Sequence, residues 1–426
     1  MGLKVAINKK SFEKNGKPFF YLADTCWSAF TNINENDWKY YLQYRKRQGY
    51  NVLQINILPQ WDASATDLNH SPYQKDEKGN YQFDKLNDSY FNHARSMCEV
   101  AKEYGFELAL VVLWCNYVPA TWANNMLSHN TMPYEEIDGY IKKVNETFTD
   151  LDPLYVISGD TDLNEEISCS YYLKASQLLH ELAPNCLQSL HVRGRLMEIP
   201  EKLIKQMDFY MFQSGHNAKL ENRAMPYCLP EYFIEHYPVK PLLNSEPCYE
   251  QMGYSSNMYG RFHQFEIRRA AWQSILTGAF AGITYGAAGI YSWHTYGKEF
   301  ANEVGEGFDS PNPWHLAIHY PGAWDYSDIK VIFDNYEITE SSAQNLLMNG
   351  IDDIRAALTN NKLLLIYVPE NTKIKLKLET TAIDKITIID LETRHREVGT
   401  VSSCQGGCMV GMHIFEHDAL YVVDLK

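Results

Sequence analysis

The sequence predicts an α/β fold: a (β/α)8 TIM barrel followed by a small C-terminal antiparallel β-sandwich. Three observations lead there. Eight short apolar runs alternate with helical patterns before residue 295. Two of those runs end on a carboxylate, Asp160 and Glu246. After Pro321 the pattern changes to short alternating strands with tight turns. The chain has 426 residues, which suits a barrel of roughly 250 residues or more plus a second, smaller domain. The expected division is 1–325 for the barrel and 335–426 for the sandwich.

The strand-like runs are Phe19–Trp27, Asn51–Leu58, Glu107–Trp114, Leu154–Asp160, Leu187–Val192, Asp208–Ser214, Pro241–Glu246 and Gly282–Trp293. Most are rich in Val, Ile, Leu, Phe or Tyr and short enough for strands. Helices fall between several of them. Asn34 is placed to cap a helix that Gly49 ends, with Trp38, Tyr41, Leu42 and Arg45 on one face. Asp88 starts a second, with Phe91, Ala94, Cys98 and Ala101 inward and Gly105 as the stop. Ile137, Tyr140, Ile141, Val144 and Phe148 repeat at helical spacing, as do Ala175, Leu178, Leu179 and Leu182. Phe262, Phe265, Trp272, Ile275 and Leu276 mark a helix before the eighth strand. A doubly wound sheet is the rival fold. Ala23-Asp-Thr-Cys-Trp27 stands where its Gly-rich phosphate loop would follow the first strand. The second domain is read from Ile354–Leu358, Lys362–Val368, Thr372–Leu378, Lys385–Asp390, Met409–Phe415 and Ala419–Asp424.

The formal net charge of −15 argues against nucleic acid or an anionic membrane as partner, since both need a basic surface. The N-terminus shows no apolar signal core, and nine scattered Cys suggest reduced thiols, so a cytoplasmic location is expected. A homo-oligomer is compatible with the sequence. Aromatic residues make up 13%, with 30 Tyr and 9 Trp, and such rings suit the apolar face of a sugar.

An acid at the C-terminal end of a barrel strand points into the open mouth, where chemistry is done. Asp160 ends the fourth strand and Glu246 the seventh. Two such carboxyls are what glycoside hydrolysis needs: one donates a proton, the other attacks carbon or activates water. Asp160 could instead cap a helix, leaving Asp162 or Glu165 as the acid; Glu246 could instead pair with Arg268. Other strand ends supply candidate substrate-binding groups: Asp24, Trp27, Gln54, Asn56, Trp114, His191, Gln213, Tyr249, Glu250, Tyr285 and Trp293. No cofactor and no metal site is expected. His315 and His319 have zincin spacing, but Leu316 occupies the Glu position. Cys404, Cys408, His413 and His417 form a weak zinc set, because an extended 409–417 separates the two imidazoles by ~13 Å.

The runs Phe20-Tyr-Leu-Ala-Asp-Thr-Cys-Trp27, Gly49-Tyr-Asn-Val-Leu-Gln54, Ile157-Ser-Gly-Asp160, Leu243-Asn-Ser-Glu-Pro-Cys-Tyr-Glu250 and Gly282-Ile-Thr-Tyr-Gly-Ala-Ala-Gly-Ile-Tyr-Ser-Trp293 together resemble the apiosidase-like glycoside hydrolases, family 140 and its relatives. Leu365-Ile-Tyr-Val-Pro369 is similar to part of the sandwich module, named for collagen binding, that those proteins carry. The resemblance implies an exo-acting barrel glycosidase, with Asp160 as acid/base and Glu246 as its partner. A departure is Ser158-Gly-Asp-Thr-Asp162, where the family commonly shows Gly-Gly-Asp followed by Arg or Asn. The expected substrate is a plant-derived oligosaccharide, cleaved by a retaining two-carboxylate mechanism. The rival reading is an inactive barrel that holds a glycan, with the sandwich as an interaction domain.

Overall fold

The computed structural model describes residues 2–300 and 308–426. Eight parallel strands form the barrel: β1 Tyr21–Thr25, β2 Val52–Asn56, β3 Glu107–Trp114, β4 Leu154–Gly159, β5 Gln188–Ser189, β6 Tyr210–Phe212, β7 Leu242–Asn244 and β8 Gly282–Tyr285. Ladder bonds join them from β5 through β4, β3, β2, β1, β8 and β7 to β6. The Asp208 amide donates to the Gln188 carbonyl (2.8 Å) and Ser189 Oγ to the Phe209 carbonyl (2.7 Å), so β5 meets β6 and the ring is nearly closed. All eight expected runs hold a strand; Glu107–Trp114 matches its run residue for residue, and the other seven are shorter. In those seven the surplus residues at the C-terminal ends leave the ladder and lead toward the mouth.

The expected helices are present. Asn34 caps Glu35–Arg47 by accepting from the amides of Asn36 and Asp37, and Gly49 takes the left-handed backbone (φ +81°) that ends it. Asn87 caps Asp88–Glu103. Ile137–Phe148, Glu166–Leu182 and Gln264–Leu276 follow. Between β2 and its helix, the long loop folds a hairpin of Tyr73–Lys75 against Tyr81–Leu86. The last barrel helix, Gly322–Asn335, crosses residue 325.

The C-terminal part is a two-sheet sandwich. Its larger sheet holds β9 Ser341–Ala343, β10 Arg355–Thr359, β11 Leu363–Val368, β13 Ile383–Asp390, β14 Arg396–Val398 and β17 Ala419–Leu425. Its smaller sheet holds β12 Ile374–Leu376, β15 Val401–Cys404 and β16 Gly407–Val410. Period-two alternation divides β11 between two cores. Leu363, Leu365 and Tyr367 join the barrel core, while Leu364, Ile366 and Val368 face the smaller sheet. Burial on both faces explains why this strand is apolar throughout. Helix Gln264–Leu276 backs the sheet and carries Arg268, whose guanidinium donates to Asp325 (2.7 Å) and Asp418 (2.9 Å). All three side chains are buried. Among the described residues, no helix is long and apolar enough to cross a membrane.

Candidate active site

A cleft with about 590 Å³ of empty space opens at the C-terminal ends of the barrel strands. Asp160 and Glu246 both line it. Asp160 follows β4 directly, in a left-handed backbone (φ +50°) that non-glycine residues rarely adopt. Its carbonyl accepts from the indole Nε1 of Trp122 (2.7 Å). Gly159 before it has no room for a side chain, because a Cβ there would lie 2.0 Å from the Trp114 ring. The glycine thus lets an indole lie against the strand beside the acid.

Glu246 stands two residues past β7 and is buried. Its Oε1 accepts from Gln213 Nε2 and faces His216 Nε2, both at 2.8 Å. The backbone amide of Tyr249 donates to Nδ1 of His216 (3.3 Å), which leaves the proton of a neutral ring on Nε2, directed at the carboxylate. His191 Nε2 lies 3.3 Å from Oε2, off the line of a hydrogen bond, and Oε2 has no hydrogen-bond partner. Burial alone would raise the pKa of Glu246. The imidazoles of His191 and His216 outweigh burial and hold the carboxyl well below the usual carboxylate range. The site therefore favours the ionised form of this carboxylate, held through Oε1 with His191 beside Oε2.

Several other expected residues meet here. Trp27, Trp114, Gln213 and Tyr249 line the cleft. The indole of Trp27 donates to the Tyr249 hydroxyl (3.2 Å). The rings of Trp27, Trp114 and His191 form a three-membered cluster with centroids 5.3, 5.5 and 6.0 Å apart, and His191 Nδ1 faces Ser245 Oγ (2.9 Å).

The remaining expected residues lie elsewhere. Asp24 is buried against Arg45 Nε (2.6 Å) and the Tyr41 hydroxyl (2.7 Å), on the helix side of β1. Tyr285 pairs with it in register and donates its hydroxyl to Glu250 (2.7 Å). Glu250 also accepts from the Gly322 amide (3.1 Å). Gln54 sits inside the barrel, donating to the Ser245 carbonyl (3.0 Å). Asn56 donates to Gln60 (3.1 Å). Trp293 stacks on Trp314 (4.5 Å, 14°). These six side chains are engaged in internal contacts and do not line the cleft. Arg268 serves Asp325 and Asp418 rather than Glu246. Burial pushes the Cys248 thiol up to about 12, unsuited to a nucleophile.

Burial pushes Glu250 up to about 7 against the hydrogen bonds of Tyr285 and Gly322. The native state thus keeps a proton that an unfolded glutamate loses near pH ~4.3. Stability falls as pH rises from that value through about 7, because the native state binds more protons across this window. Glu250→Gln is expected to remove that share of the decline, read as urea midpoints near about pH 5 and about pH 8.

The cleft also holds residues that the sequence did not single out: Trp61, Asp62, Trp122, Arg193, Arg195, His216, Tyr291 and Phe308. Trp61 meets Trp122 edge-on (5.8 Å, 88°), and the Arg193 guanidinium lies 5.2 Å from the Trp122 ring centre. His216 had one visible mark, its place just beyond a strand in Gln213-Ser-Gly-His216.

A parallel barrel whose mouth carries carboxyls beside a wall of indoles suits glycoside hydrolysis, and the protein is a glycosidase acting on carbohydrate, as its family shows. Residues 7–340 match the family model described as "Apiosidase-like, catalytic domain", and the chain belongs to that family. A solved structure named "Glycoside hydrolase" shares 21% identity over 99% of this chain and 97% of its own, with a TM-score of 0.80. A glycoside hydrolase family 5 structure from Bacteroides vulgatus ATCC 8482 shares 21% identity over 99% of this chain and 94% of its own, with a TM-score of 0.79. At this identity the likeness concerns the fold. No curated protein matches the sequence.

Proposed function

We propose that the protein removes sugars from the ends of plant-derived oligosaccharides, with retention of configuration, through Asp160 and Glu246. The observation that carries this reading is the state of Glu246. It is buried, its pKa is held low, and it is fixed through Oε1, while Oε2 has the His191 imidazole beside it. In the first step the Asp160 carboxyl gives its proton to the glycosidic oxygen as the bond from that oxygen to the anomeric carbon breaks. Oε2 of Glu246 forms the new bond to the anomeric carbon, and the alcohol leaves. In the second step water attacks the same carbon, its proton passes to the Asp160 carboxylate, and the ester bond to Glu246 breaks. The acid and the carboxylate are then restored, and the sugar is released. The aromatic walls support end-on binding of a sugar ring.

Asp160→Asn is expected to lower kcat roughly 10²–10⁴-fold on phenyl glycosides. The loss should shrink on dinitrophenyl glycosides, whose leaving group needs no proton. Proton NMR of fresh product should show the anomer of the substrate. Undiminished activity in the variant removes Asp160 from its role, and an inverted product removes Glu246 as nucleophile. Binding of pectic oligosaccharides by the wild type without product release sinks the hydrolase reading itself.

A further inference from the structure

A third carboxyl lines the cleft, and the two-step reaction above does not use it. Asp62 lies on the loop after β2, beside Trp61, which lines the same cleft. Its Oδ1 is buried and has no hydrogen-bond partner. Buried acceptors in native proteins are nearly always satisfied, so an unpaired carboxylate oxygen in a binding cleft suits a donor from a ligand. Asp62 shares the cleft wall with Glu246 and Tyr291. Glu246 acts on Asp62 electrostatically, and Tyr291 feels the charge of both. A group that shares this cleft with Glu246 faces the space that the sugar attacked by Glu246 would fill. The adjoining Trp61 ring offers an apolar surface beside a hydrogen-bond acceptor, the pairing that a sugar ring with its hydroxyl rim requires.

We propose that Asp62 binds the glycone, accepting hydrogen bonds from hydroxyls of the sugar whose bond is cut. The inference rests on the hydrolase reading. Burial and then the Glu246 charge push Asp62 up to about 7. Sugar hydroxyls donating to the carboxylate offset that cost and link its ionisation to occupancy.

The test compares wild type, Asp62→Asn and Asp62→Ala on phenyl and 4-nitrophenyl glycosides of arabinofuranose, xylose, galactose and rhamnose. Asp62→Ala is expected to raise KM roughly ten- to hundredfold, by the same factor for both leaving groups. Asp62→Asn, which keeps the shape and one acceptor, should lose less, and it carries the test if the alanine variant does not fold. Thermal shift with the free monosaccharides gives a second readout: the stabilisation of the wild type should vanish in Asp62→Ala. Unchanged KM and unchanged shifts in the variants, with an active wild type, overturn the inference alone. A kcat loss that grows with leaving-group pKa also overturns it, because Asp62 would then be the proton donor. A wild type that neither cleaves any glycoside nor is stabilised by any sugar brings down the hydrolase reading and this inference together.

Discussion

Glu246→Gln is expected to lower kcat on an activated aryl glycoside by roughly 10⁴-fold or more, while the protein stays folded. The amide has no negative charge and no oxygen able to form the ester. Its shape is unchanged, and its carbonyl oxygen can still accept from Gln213 and His216, which now hold the carboxylate. Stability should respond to pH in a definite sense. The folded pKa of Glu246 lies below its unfolded value, so the carboxylate contributes stability above about pH 4.3, lost as pH falls through the folded value. The variant should lack this contribution, seen as a shallower fall in melting temperature on acidification. Glu246→Ala adds a sharper check. Azide fits where the carboxylate was, and it should restore turnover and yield a glycosyl azide of opposite configuration. Wild-type-like activity in either variant removes Glu246 from the reaction.

Arg268→Ala or Asp418→Ala is expected to destabilise the protein by about 3–5 kcal/mol, read from urea midpoints. Each change leaves an opposite charge sealed between barrel and sandwich. Arg268 bridges Asp325 on the last barrel helix and Asp418 just before β17. Asp418 also accepts from the Tyr367 hydroxyl (2.9 Å), and Asp325 from Arg394 (2.6 Å). The attraction within such a cluster barely exceeds the cost of drying its charges, so removing both partners together behaves differently. Arg268→Met with Asp418→Leu should lie closer to wild type than either single alanine variant. Additive loss in the double variant would show that the pair contributes through its packed shape and not through its charge. None of these residues lines the cleft, so kcat should hold wherever the variants remain folded.

The barrel was legible because parallel strands buried on both faces leave dense apolar runs, and eight of them can be counted. The helix Met225–His236 was less visible, since Pro226 and Pro230 mask its pattern. The placement of side chains depended on parity. Tyr21 and Gln54 share a hydrogen bond inside the barrel, whereas Asp24 and Tyr285 sit on the outward phase, against the helices. Proximity to a strand end could not separate the two phases, so Asp24 and Tyr285 looked equivalent to Gln54. Glu250 reaches the same outer layer through Tyr285. Trp61, Asp62, Trp122 and Arg193 lie on loops, where no period relates position to direction. Asp160 and Glu246 were readable because each ends an apolar run on a charge.

The left-handed twist at Asp160 shapes what a saturation library at this position would report. Asn and Gly tolerate such a backbone, while β-branched replacements strain it and pull the Trp122 indole with the carbonyl it holds. Loss of the acidic group and distortion of the turn would therefore be mixed in most of the twenty clones. Asparagine and glycine are the substitutions that isolate the chemistry from the geometry.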